Sequence, residues 1–226
     1  VFFNHFKKKN NAKMKKIYQI ALLFIAVVAL HSCKKSADET KDLNKFGEYI
    51  SALPEKLLSS TDNISFILAK KPDVASIAPE AMTIKPKVKG NLLYDDSNRT
   101  LSFVPTEKLQ NGKEYTVKLN LNKLYAEVPS NAEELRLKLK IKELRFTVTT
   151  QSLKVHSKDW YYIEGVLIGS DVMETAKLQE VLKANYLSKE HPVNFEKTDA
   201  YADKVYFKID SLKRGEDDSY VKLKWD

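Results

Sequence analysis

Residues Asn98 to Leu124 read NRTLSFVPTEKLQNGKEYTVKLNLNKL. Leu101 and Phe103 fall on one face of an extended segment. Tyr115, Val117, Leu119 and Leu121 fall on one face of another, with polar residues in the alternate places. This period of two is what a strand produces when one of its faces is buried. Pro105 cannot donate to a sheet ladder and marks a strand end, and Asn111-Gly112 readily takes the positive dihedrals of a tight turn. The expectation is two antiparallel strands joined as a hairpin. A lone hairpin is at best marginally stable in water, so these apolar faces must meet a second sheet, and the smallest unit that satisfies them is a β-sandwich.

The same residues carry a resemblance. Phe103, Pro105, Leu109, Gly112, Tyr115 and Val117 reproduce the spacing F-x-P-x-x-x-L-x-x-G-x-x-Y-x-V, which is similar to that of bacterial Ig-like domains, modules of surface proteins. Each position also has a physical reading of its own: Phe103, Leu109, Tyr115 and Val117 as core, Pro105 as strand end, Gly112 as turn. The resemblance implies a Greek-key arrangement and an extracytoplasmic setting.

Working outward, further strand signals lie at Ile64 to Leu68, Ala81 to Ile84, Lys87 to Tyr94, Arg99 to Val104 and Leu135 to Thr149, with Asp95 to Asn98 as a turn. In the last run Leu135, Leu137, Leu139 and Ile141 hold odd positions, whereas Leu144, Phe146 and Val148 hold even ones. A shift of one residue flips every side chain to the other face, so Lys142-Glu143 is expected to be a β-bulge or a break between strands. Residues 63–150 therefore read as an Ig-like β-sandwich in an all-β chain. From Lys34 to about Asn63 the chain is polar, apart from Leu43, Phe46, Tyr49 and Ile50 at helical spacing and Leu53 before Pro54. That interval reads as a short helix or a flexible tether.

A second β-domain is expected over residues 151–226. Trp160 to Ile168 is strand-like, Val205 to Ile209 alternates, and Tyr220 to Trp225 alternates again. Lys177 to Tyr186 reads as a helix carrying Leu178, Val181 and Leu182, or as a strand and loop; periodicity alone does not separate them. Arg214 to Asp218 reads as a charged hairpin loop. The sequence stops at Asp226, directly after a strand, so this domain is expected to be an incomplete β-sandwich.

At the other end, Met14-Lys15-Lys16 precedes fourteen mostly apolar residues, Ile17 to Leu30, and Leu30-His31-Ser32-Cys33 closes the run. This reads as a signal segment over residues 1–32, with the true start at Met14, and the run is shorter than the roughly 20 residues of a membrane span. The closing residues resemble the bacterial lipobox. That resemblance implies that Cys33 receives a diacylglyceryl group and becomes the mature N-terminus, followed by a tether to residue 62. More than one acyl chain gives lasting membrane attachment. Lys34, rather than Asp, after the cysteine resembles Gram-negative lipoproteins and implies an outer-membrane destination, and Lys35 to Glu39, ending in Asp38-Glu39, resembles signals that carry lipoproteins to the cell surface.

Composition narrows the rest. Hydrophobic content of 43% and charged content of 30% are those of a globular protein. The formal charge of +8 suggests nucleic acid until it is located. Six lysines precede Cys33 with no acid among them, leaving 32 basic against 30 acidic residues from there on, and no basic stripe to neutralise phosphates. No nucleic-acid partner is expected. His5, His31, His156 and His191 are scattered without metal-ligand spacing, so no metal or other cofactor is expected. No nucleophile elbow accompanies the serines, and Gly165-x-x-x-Gly169 lacks the lysine and helix start of a phosphate loop, so no catalytic residue is assigned and no enzyme is expected. Asp95-Asp96 and Asp217-Asp218 could bind calcium, although acids in turns more often cap backbone amides. Trp160, Tyr161 and Tyr162 could form a sugar platform, although alternating aromatics in a strand more often divide between core and surface.

A second resemblance arises in the C-terminal part. Gly169-Ser170-Asp171, Val181 to Ala184, Phe207 to Arg214 and Leu223 to Asp226 are similar in order and spacing to the first macroglobulin-type region of bacterial alpha-2-macroglobulin family lipoproteins, where an Ig-like domain also precedes it. The family consists of large protease traps, so the resemblance implies a non-catalytic, lipid-anchored N-terminal scaffold of a protease inhibitor at the cell envelope. Its partners would be the membrane, through Cys33, and proteases, through a region beyond Asp226. The thioester of many members needs a cysteine in the folded body, and Cys33 is the single cysteine here. The alternative is a surface glycan-binding or adhesive lipoprotein with Ig-like stalks.

Overall fold

Leu101 and Phe103 share a core with Tyr115, Val117 and Leu119, but they meet across it and not along a ladder. A computed structural model describes residues 44–215 and 220–226. Residues up to Gly47 form one unit and residues from Glu48 another. The described part of the first unit includes a single 3-10 turn, Asn44–Phe46.

The first half of the second unit contains β1 (Ile50–Ala52), β2 (Leu57–Leu58), β3 (Ile64–Leu68), β4 (Met82–Lys85), β5 (Gly90–Asp95), β6 (Thr100–Pro105), β7 (Glu114–Asn120) and β8 (Glu134–Ile141). One sheet has the order β1-β3-β6-β5 and the other β2-β8-β7-β4. Read as strands A, A′, B, C, D, E, F and G, these are the ABED and GFC sheets of an immunoglobulin-type sandwich, with the short A′ strand pairing parallel to G. Leu101, Tyr115, Val117 and Leu119 are buried together with Ile64, Phe66, Leu139 and Ile141, so the inward phase is the one expected from the sequence.

Two expectations change here. The β6–β7 hairpin does not form: β6 pairs with β3 and β5, while β7 pairs with β4 and β8. Residues 106–113 carry the chain from one sheet to the other, and Leu109 plugs the core beneath the crossing. Gly112 takes φ +72°, as its turn requires. The Tyr115 hydroxyl, at the start of β7, accepts the Gln110 backbone N–H at 3.2 Å. This is the tyrosine corner that pins an E–F crossing. The sandwich also begins earlier than Asn63. Ile50–Ala52 pairs with β3 and Leu57–Leu58 with β8, because Pro54 lets the chain turn from one sheet edge to the other. Two- and three-residue strands are too short to display a period, and so this interval reads as helix or tether in the sequence.

The second half contains β9 (Phe146–Thr150), β10 (Lys154–Ser157), β11 (Trp160–Glu174), a 3-10 turn (Thr175–Lys177) running into α1 (Leu178–Val181), β12 (Leu182–Tyr186), β13 (Lys189–His191), β14 (Asn194–Phe195), β15 (Tyr201–Lys213) and β16 (Val221–Trp225). The long β11 pairs with β15 on one side and with β10, then β9, on the other, and β14 closes the far edge. A second sheet has the order β13-β12-β16. Between them lie Leu167, Met173, Leu182, Ala184, Val205, Phe207 and Ile209, a second buried core. The all-β, two-sandwich class read from the sequence is the one observed.

Lys142-Glu143 is a break, and it separates sandwiches as well as strands: Phe146–Thr150 pairs with β11 in the second half. Lys177 to Tyr186 holds both alternatives, one helical turn and then a strand. The strands flanking Arg214 to Asp218 do not form a hairpin, since β15 and β16 lie in different sheets; residues 216–219 of that loop are outside the described residues.

Gly165 sits opposite Phe207 in the β11–β15 ladder. A Cβ added there would lie 2.4 Å from the Phe207 ring and 2.8 Å from the Thr149 carbonyl. Gly165→Ala is therefore expected to displace a core aromatic and cost about 1–3 kcal/mol. The urea midpoint checks this, and an unchanged midpoint would mean that the ring does not rest on this glycine.

Candidate functional site

Along β11, Leu167, Gly169, Asp171 and Met173 occupy one phase and are buried. An aspartate in a core phase needs partners, because an ionised carboxylate removed from water is costly unless hydrogen bonds replace its solvent. Asp171 is 5% exposed and finds those partners on the first sandwich. The Ser59 hydroxyl donates to Oδ1. The Ser60 backbone N–H donates to Oδ2 at 2.9 Å and the Asn111 side-chain amide to the same oxygen at 2.6 Å. Ser59 and Ser60 directly follow β2, and Asn111 belongs to the E–F crossing, so three donors converge on one end of the first sandwich.

The surrounding contacts join the same two bodies. Lys108 donates to the Val172 carbonyl at 2.8 Å. The Ser170 hydroxyl donates to the Glu143 carbonyl at 2.7 Å and accepts the Arg145 N–H at 2.9 Å, while the Ser170 N–H reaches the Arg145 carbonyl at 2.9 Å. Asn111 is itself held by the Lys142 carbonyl at 2.9 Å. Burial pushes the Asp171 carboxyl up, but the hydrogen bonds from Ser59 and Ser60 and the backbone N–H of Val172 outweigh it and bring the pKa down to about 2. The group is thus a permanent anion at neutral pH, enclosed by donors, and its chemistry is that of a clamp. Gly169-Ser170-Asp171, quoted above only as part of a resemblance, is where the second sandwich grips the first.

The other residues singled out from the sequence lie apart from this joint. Cys33, the lipid-attachment residue, falls outside the described residues, as does the whole signal segment. Tyr161 points into the second core, while Trp160 and Tyr162 face out. The Tyr162 ring has Lys208 4.3 Å and Lys154 5.9 Å from its centroid, and these lysines pair with Asp210 and Glu164 at 2.7 and 2.5 Å. That arrangement sets ammonium groups where a sugar would stack. His156 lies edge-on to Tyr162 at 6.2 Å, and His191 Nε2 sits 2.6 Å from the Asp210 carbonyl. Asp95 accepts the Ser97 hydroxyl and N–H, and Asp96 pairs with Lys71 at 2.7 Å, so this turn holds itself and the segment that follows β3. Asp217-Asp218 lies outside the described residues. Among the described residues no group of three His, Cys, Asp or Glu side chains is placed to hold a metal ion, and no helix is long and apolar enough to cross a membrane.

No protein-family model matches this chain, and no curated protein matches it.

Proposed function

We propose that this chain is a non-catalytic, lipid-anchored scaffold of the cell envelope, and that it forms the N-terminal part of an alpha-2-macroglobulin-like protease inhibitor. The observation that carries the scaffold reading is the joint. Asp171, the buried carboxylate among the described residues, is enclosed by donors from Ser59, Ser60 and Asn111, so the acid best placed to do chemistry serves to hold two sandwiches together. A spacer that carries a working domain away from a membrane needs such a connection, since interfaces between domains of one chain otherwise leave relative motion as the default.

The anchor rests on Leu30-His31-Ser32-Cys33 after an apolar run, and the inhibitor reading rests on the resemblances of Phe103 to Val117 and of Gly169 to Asp226, in that order along the chain. Cys33→Ser is expected to abolish incorporation of labelled palmitate and to move the protein from the membrane fraction to the soluble one. Persistent labelling of that variant would refute Cys33 as the attachment site. The inhibitor part is tested on the native gene product mixed with a protease. Trapping predicts lost cleavage of large protein substrates with cleavage of small peptides retained, and unchanged cleavage of both removes the inhibitor reading while leaving the scaffold intact. The glycan-binding alternative has less support, because lysines flank Tyr162, the ring that would partner Trp160.

A further inference from the structure

The two outward faces of the first sandwich differ in kind. On the β2-β8-β7-β4 sheet the outward phase is charged: Lys118, Arg136, Lys138 and Lys140 stand there with Glu114 and Glu134. On the β1-β3-β6-β5 sheet it is almost free of charge, although 30% of the chain's residues are charged. Ala52, Ile67, Thr100 and Asp95 make one row across that face. Ser65, Ser102 and Leu93 make the next, and Val104 pairs with Asn91 beyond them. Asp95 is the one ionisable side chain in these rows, and its carboxylate is taken up by the Ser97 N–H and hydroxyl. Ile67 is 41% exposed and Leu93 56%.

Charge is confined to the two ends of the face. Lys71 pairs with Asp96 at 2.7 Å beyond the first row, and Lys89 with Glu107 at 3.8 Å beyond the last. A centre depleted of charge inside a charged rim is the anatomy of a protein–protein interface. With strands about 4.8 Å apart and about 3.4 Å per residue, the plane is about 20 Å long and nearly as wide. Two such planes with their rims bury on the order of 1,000 Å², the lower bound for a specific interface.

The occupant follows from the same residues. A partner of one predominant charge finds no opposite charge on this plane, whereas a second copy finds groups that suit their own image. The Ser65 and Ser102 hydroxyls, 2.8 Å apart, can each donate and accept. A two-fold axis running across the strands, along the row of Ser65, Ser102 and Leu93, sets Leu93 against Leu93 of the second copy. The same axis lays each charged end over the opposite end of the other copy, Lys89 towards Asp96 and Lys71 towards Glu107. Both ends therefore meet with opposite signs, as a closed two-fold interface requires.

We infer that the outward face of the β1-β3-β6-β5 sheet is the self-complementary interface of a homodimer, closed face to face about that axis. Its small area sets the expected dissociation constant at about 10–100 μM. This depends on neither the anchor nor the inhibitor reading.

The test is sedimentation equilibrium of the 226-residue chain under reducing conditions, where a monomer–dimer equilibrium in that range is expected. Leu93→Lys and Leu93→Glu, at an exposed position where either side chain can reach water in the monomer, each set like charges against one another across the axis. Each should weaken association at least tenfold, and an equimolar mixture of the two variants should restore it. Association through the apolar run Ile17 to Leu30 would not respond to residue 93. A wild-type chain that stays monomeric up to about 1 mM would give the face to another occupant and overturn the inference. Association unchanged in Leu93→Lys, or not restored in the mixture, would overturn it as well.

Discussion

Asp171→Ala is expected to cost about 2–4 kcal/mol and to loosen the connection between the sandwiches. The substitution removes one carboxylate and leaves three donors, the Ser59 hydroxyl, the Ser60 N–H and the Asn111 amide, without that acceptor. Each buried donor left without an acceptor costs about 1–3 kcal/mol, partly relieved where the side chain can turn away. Asn111 can turn, because it also binds the Lys142 carbonyl; the Ser60 backbone cannot. Asp171→Asn keeps the shape but removes the charge and one acceptor: one amide oxygen remains, its NH2 faces donors, and most of the loss is expected to persist. Thermal unfolding reads the cost, and limited proteolysis between Ile141 and Phe146 reads the loosening. Wild-type stability in both assays would remove Asp171 from the joint.

The same group gives a pH dependence with a definite sign. Its folded pKa, about 2, lies below the ordinary 3.8. The stabilisation is therefore complete above about pH 4 and is lost as pH falls through 2, amounting to roughly 2 kcal/mol for a shift of this size. Asp171→Asn should flatten that part of the stability curve, because the variant has no carboxyl to protonate there. An equal acid slope in both proteins would assign it to the exposed carboxylates instead.

Phe103→Asp is expected to abolish cooperative folding of the first sandwich. Phe103 is buried between β3 and β5, directly over Gly90, where an added Cβ would lie 2.5 Å from the ring. An unpaired carboxylate in that position costs several kcal/mol, against a typical total of about 5–15 kcal/mol for a whole domain. Circular dichroism during a thermal ramp reads the result. A melting curve like that of the wild type would place Phe103 in solvent and undo the core described here.

Period-two patterning identified the faces of β6, β7 and β8 correctly, because an inward phase is a local property of each strand. It did not identify their partners. Nothing in Thr100 to Asn120 distinguishes two strands that bond to each other from two that face each other across a core. The usable signal was the connection: eight residues with the apolar Leu109 in the middle suit a crossing between sheets, whereas a tight hairpin would be shorter and polar. The early strands Ile50–Ala52 and Leu57–Leu58 were hidden by their length. Asp171 was the most legible of the missed residues, since an acid standing in the same phase as Leu167 and Met173 must be buried with partners. Which partners those are was not legible, because Ser59, Ser60 and Asn111 lie 60 to 112 residues away in sequence and are brought to it only by the meeting of two sandwiches.

The claim on which the scaffold reading depends is that the sandwiches ending at Ile141 and beginning at Phe146 tumble as one body. Backbone nitrogen relaxation on the 226-residue chain measures this directly. A single rotational correlation time shared by amides of β6 and β7 and of β11 and β15, splitting into two in Asp171→Ala, is the predicted result. Two distinct times in the unaltered chain would contradict it.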